Sequence, residues 1–142
     1  MKTSRPIQGV LIIWGIWEII NGALATLAPQ QGANLVSWMP KSGWTSDLVL
    51  MSQQYGMAMF ILGFMYLVIA TNPLRYRDLI WVAVAEQALG IVYALFNTFG
   101  THTLTPAQFI TQAVINIVIA AIFLLLRPGE TSTRQHSEVA AS

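Results

Sequence analysis

Glu18 and Glu86 are the residues of this 142-residue chain whose type and setting could do chemistry. Each stands inside a long apolar run, Glu18 in residues 7–27 and Glu86 in residues 79–99. Four amides accompany them: Asn21 and Gln87 close to the acids in sequence, and Gln112 and Asn116 on the last apolar run. No Lys, Arg or His falls inside any of these runs, so neither acid has a cation nearby in sequence. What such carboxyls can do is hold a proton, donate a hydrogen bond to a carbonyl, or trade the proton for a cationic or polar ligand. Trp14 lies one turn before Glu18 and Trp17 one turn before Asn21, an aromatic flank against which a lipophilic cation could rest. The structural alternative is that both acids are protonated and bonded to Gln112 and Asn116 as glue between helices, worth about 0.6 kcal/mol per bond.

The elements that must position these groups follow from hydrophobicity. Across the chain 55% of residues are hydrophobic and 9% charged, against about 25% charged in an ordinary soluble domain. The run 7–27 makes a helix about 31 Å long, close to one hydrocarbon thickness, with Glu18 near its middle. Charge at that depth costs about 2.5–3.5 kcal/mol on insertion scales, so other helices must shelter the carboxyl. Three more spans are predicted: 47–70 behind an N-cap Ser46 and ending before Asn72-Pro73, 79–99 capped by Asp78, and 106–126. The last has the clearest start, Thr105-Pro106-Ala107-Gln108, with an N-cap threonine, proline at N1 and glutamine at N3. Pro29 closes the first helix, and 28–46 reads as an external loop. Its Leu35, Val36, Trp38, Met39 and Trp44 suit an amphipathic element at the membrane interface. Residues 1–6 are a short polar start and 127–142 a polar, disordered tail. Ala23-Leu24-Ala25 resembles a signal-peptidase site, but the preceding segment is too long and too polar for a signal peptide, so a retained first helix is expected.

The fold class read from this pattern is all-α: a single integral-membrane four-helix bundle, N-in and C-in. Six of the seven basic residues, Lys2, Arg5, Arg75, Arg77, Arg127 and Arg134, flank one side, and Lys41 alone flanks the other. By the positive-inside rule both termini of this multi-pass chain are expected in the cytoplasm. The net charge of +1 offers no nucleic-acid footprint. There is no cysteine, and His102 and His136 stand alone, so no metal site is expected. Nucleophile, phosphate-loop and redox motifs are missing, so no catalytic residue is assigned and the cofactor is unknown.

Small residues mark the faces expected to meet. Gly15, Glu18, Gly22 and Ala25 share one face of the first span, and Ala83, Glu86, Gly90, Ala94 and Asn97 one face of the third. Gly56, Gly63 and Ala70 recur at sevens on the second, while Gln112, Asn116 and Ala120 recur at fours on the fourth. Small residues let membrane helices approach, so all four stripes can converge on one interior. Glu18-Gly22-Leu27 and Glu86-Gly90-Leu95 repeat one spacing, which admits a parallel duplication of a two-helix hairpin.

Gly15, Asn21-Gly22, Ala28-Pro29, Gln54-Tyr55-Gly56, Gly63, the run Tyr66-Leu67-Val68-Ile69-Ala70 and Asn72-Pro73-Leu74 together resemble the DoxX-like or BphX-like small bacterial membrane proteins. The resemblance covers about residues 9–127. It implies an inner-membrane four-helix bundle, often an accessory protein beside redox or catabolic systems, with no agreed catalytic residues to carry over. Glu18 is also similar in position and type to the helix-1 glutamate of small multidrug transporters, four-helix proteins that work as dimers. Three functions therefore stand. The first is a non-enzymatic accessory or lipophilic-ligand-binding bundle, in the lipid bilayer with a larger membrane complex, as a homo-oligomer, or around a small lipophilic ligand. The second is a proton-coupled exporter of small cationic or polar compounds, and the third a membrane-embedded enzyme with Glu18 or Glu86 facing a reactive carbonyl.

Overall fold

In the computed structural model the chain is described over residues 5–35 and 43–128. The expected polar start before Arg5, the loop residues Val36, Trp38, Met39, Pro40 and Lys41, and the tail beyond Pro128 lie outside the described residues. Within them all regular structure is helical, as expected. The elements are α1 (Arg5–Leu27), α2 (Pro29–Leu35), α3 (Ser46–Thr71), a 3₁₀ turn (Arg77–Leu79), α4 (Ile80–Leu95), a π turn (Phe96–Gly100) and α5 (Pro106–Leu126). Four stretches are long and apolar enough to cross a membrane: α1, α3, the run Arg77–Gly100, and α5. Their outer faces match that solvent, since Ile13, Leu27 and Leu125 are 71%, 82% and 75% exposed. Apolar surface on this scale is stable against lipid and not against water.

Several boundaries differ from expectation for identifiable reasons. Pro29 ends α1 and also begins α2, because proline fits the first helical position; 29–35 is therefore a helix where a loop is expected. Backbone bonds from Ala28 N to Leu24 O and from Gly32 N to Ala28 O, both 2.9 Å, carry the chain through this junction. Thr45, not Ser46, caps α3, its hydroxyl accepting from Leu48 N at 3.2 Å. Asp78 does not cap the third span: the chain enters α4 through the 3₁₀ turn, and the Asp78 carboxylate instead takes Arg127. That span also ends early as an α-helix, at Leu95, and winds on as a π turn.

The described residues form two compact units, Gln8–Thr71 and the remainder. In the first, α1 and α3 run antiparallel with their backbones in contact. Gly15 meets Gly63 and Gly22 meets Gly56, seven residues apart on each helix, so the close approach recurs every two turns. A methyl added at Gly22 would lie 2.6 Å from both Gly56 O and Phe60 N, and one at Gly63 2.6 Å from Gly15 O. Two hydroxyls strengthen the far end, Ser52 Oγ donating to Ala25 O at 3.3 Å and Thr26 Oγ1 to Gln53 O at 3.4 Å. Gly32 lets α2 fold back against Leu24, where a Cβ would come within 3.3 Å of the leucine's own.

In the second unit α4 and α5 pair antiparallel, Gly90 against Asn116. Ala83, seven residues back along α4, and Phe123, seven on along α5, are both buried. Arg127 closes one end of this pair. Its Nη2 donates to Asp78 Oδ1 at 2.9 Å, its Nε to Arg77 O at 3.4 Å, and its guanidinium lies 5.0 Å from the centre of the Trp81 ring. The other end is organised by Asn97, whose backbone carbonyl accepts from Thr103 N and Leu104 N at 2.8 and 3.2 Å. Its side-chain Oδ1 accepts from the hydroxyls of Thr103 and Thr101 at 2.9 and 3.2 Å. The loop then delivers Thr105 into the expected capping box with Gln108.

Candidate functional site

Glu18 is buried on α1 because it lies between the two glycine contacts. A Cβ at Gly63 would come within 2.9 Å of Glu18 Cβ, so the carboxyl-bearing turn presses on α3 where α3 has no side chain. The expected stripe Gly15, Glu18, Gly22 is thus the packed face of α1. Asn21 is half-buried, and its Nδ2 folds back to donate to Trp17 O at 2.8 Å, a local bond within α1. Trp17 itself is 53% exposed, so the aromatic flank expected beside Glu18 reduces to Trp14. The indole N–H of Trp14 is shut off from solvent with no hydrogen-bond partner among the described residues.

Along α4 and the π turn that follows it the buried face is turned one residue from expectation. Ala83, Gln87, Ala94 and Thr98 are buried, whereas Glu86 is only half-buried. The reason is the helical period: 83, 87, 94 and 98 keep steps of four and seven on one stripe, and Glu86 falls on its edge. Asn97, expected on the same interior stripe, is half-buried and donates back to Tyr93 O at 2.8 Å while holding the loop. On α5, Asn116 is 5% exposed and Gln112 is exposed. Gln112 Nε2 reaches Asn116 Oδ1 at a long 3.5 Å, which supplies the amide oxygen weakly. Asn116 Nδ2 presses on Gly90, where a Cβ would meet it at 2.6 Å, and has no hydrogen-bond partner among the described residues.

Of the eight expected site residues, Glu18, Gln87 and Asn116 are therefore buried, Trp14, Asn21 and Glu86 half-buried, and Gln112 and Trp17 exposed. The Glu18 and Glu86 turns are not local copies of one another. Gly22 packs on the backbone of α3, whereas Gly90 packs on the side chain of Asn116, so the shared Glu-Gly spacing serves two different contacts. Sequence reasoning missed the hydroxyls of Ser52 and Thr26, the hub at Asn97 and the Arg127 clamp. The signal for the clamp was present in the separation of Asp78 and Arg127 to the matching ends of two adjacent spans. Each unit thus holds one buried donor with nothing to donate to among the described residues, Trp14 Nε1 in the first and Asn116 Nδ2 in the second, and each can offer a hydrogen bond to an acceptor from outside the chain. Comparison with protein-family models, with curated protein sequences and with solved structures finds no match for this chain.

Proposed function

We propose that this chain is a small multi-pass protein of the bacterial inner membrane, both termini cytoplasmic, that holds a lipophilic small molecule bearing a hydrogen-bond acceptor such as a carbonyl. Its role is that of a binding or accessory protein beside a larger membrane assembly or a second copy of itself, and not that of an enzyme. The observation that carries this reading is a buried donor in each unit with no partner among the described residues, Trp14 Nε1 in the first and Asn116 Nδ2 in the second. An unsatisfied buried donor costs about 1–3 kcal/mol, and an apolar side chain of similar shape at either position avoids that cost. Retaining either donor is rational if an acceptor bound at its own unit satisfies it. The likeness to DoxX-like or BphX-like proteins and the one-sided basic residues fit this assignment, with Glu18 a further buried polar group in the first unit and Gln87 in the second.

The test is native mass spectrometry of the protein extracted gently from its own membrane, beside the variants Trp14→Phe and Asn116→Leu. A reproducible apolar adduct, or a larger assembly carrying one, that weakens in either variant supports the reading. A lone, empty bundle whose variants are each more stable than the parent overturns it, because the donors would then be a plain cost with no ligand to meet.

A further inference from the structure

We infer that α1, α2 and α3 form a second binding site, for a small neutral amphiphile with a hydroxyl head. A cavity of about 240 Å³ opens between Asn21 and Leu24 of α1, Ala33 of α2, Trp44, and Ser52 and Met59 of α3. Neither Trp14 nor Asn116 lines it, so it stands apart from the donors on which the proposed function rests. Drug-sized pockets run to about 300–1,000 Å³, so the occupant here is smaller, a single ring or the head end of one chain.

The wall chooses its chemistry. Among the described residues all the lining side chains are uncharged, and an ionised head would lose its water there without gaining a partner among them. Asn21 has one N–H engaged with Trp17 O, which leaves Oδ1 and the second N–H. Ser52 donates its only hydroxyl proton to Ala25 O, which leaves acceptor lone pairs. A hydroxyl both donates and accepts, and so matches this set; a ketone, which only accepts, leaves Asn21 Oδ1 and Ser52 unmet. The position agrees with the chemistry. Trp44 lies two residues before α3 begins, at the end of a span, where tryptophan sits at headgroup level and where an amphiphile places its hydroxyl. Leu24, Ala33 and Met59 supply the apolar side.

The test uses the full chain in phosphatidylcholine nanodiscs with a photoreactive, diazirine-bearing decanol, and with decane and decanoate carrying the same group. Peptide mapping reads where each attaches. The expected result is saturable decanol labelling at Leu24 and Met59, displaced by unlabelled decanol and not by decane. Apparent affinity should fall about three- to tenfold in Asn21→Leu, and labelling should vanish in Ala33→Phe, which fills the cavity. A larger apolar groove on Leu27, Met57, Phe60 and Ile61 is the internal control, since general lipid contact labels it equally with decanol and decane. Equal labelling of the cavity by decanol and decane, or displacement by decane, overturns the inference. These comparisons are made on the parent protein and hold whether or not either variant folds. Loss of the adduct in the Trp14 and Asn116 variants bears on the proposed function alone.

Discussion

Replacing Gly22 by alanine tests whether the α1–α3 pair depends on backbone contact. The added methyl would lie 2.6 Å from Gly56 O and Phe60 N and 3.0 Å from Phe60 Cα, where ordinary contact begins at 3.4 Å. All three neighbours are backbone atoms, so no rotamer relieves the clash and the helices must separate locally by about 0.8 Å. A gap of about 0.5–1 Å forfeits a quarter to a half of each dispersion contact, and overpacking of this kind costs about 1–3 kcal/mol. Alanine also gains up to about 1 kcal/mol over glycine in helix propensity, which hides part of the loss. Gly9 removes that ambiguity. It lies on the same helix, and a Cβ there meets nothing within 4 Å, so Gly9→Ala reports propensity alone. The difference between the two variants then isolates the clash, and Gly22→Ala should be less stable than Gly9→Ala by about 1–3 kcal/mol. Reversible unfolding in mixed micelles, or steric trapping in bilayers, measures it. Equal stability of the two variants would refute a glycine-mediated helix contact at this level.

Two other perturbations probe the second unit. Arg127→Ala should destabilise more than Asp78→Asn, because the pair on the 75%-exposed Asp78 side chain contributes less than about 1 kcal/mol whereas Arg127 also rests on Trp81; melting temperatures in one detergent, with and without added salt, rank the two. Asn97→Ala removes the acceptor of the Thr101 and Thr103 hydroxyls, so hydrogen exchange at the Thr103 and Leu104 amides should quicken while α5, capped by its own Thr105–Gln108 box, keeps its protection.

Much of the fold was legible because the features that specify it are local. Four apolar stretches of spanning length need only a count of residues, and the start of α5 needed only Thr105, Pro106 and Gln108. The stripe Gly15, Glu18, Gly22 followed from helical period, and the matching sevens of Gly56 and Gly63 were visible too. Their pairing was not, since which glycine meets which depends on the register of two antiparallel helices. Asp78 shows the opposite failure: by local rules it is a good cap, but a guanidinium 49 residues away competes for it and wins. Glu86 and Gln87 differ by one position, about 100° around a helix, and only the packing of the folded chain decides which of them is buried.

The amino-acid sequence by itself determined the number of spans, their apolar outer surface and the presence of carboxyl and amide groups within them. Hydrophobic length and helical period depend on near neighbours and survive without knowledge of packing. Tertiary structure decided which polar groups lost water and which found partners. Trp14 and Asn116 look no different from Trp17 and Gln112 in the chain, yet packing isolates the donors of the first two and leaves the others exposed. Hydrogen-bond satisfaction is a property of facing surfaces, and those exist only once the helices have been brought together.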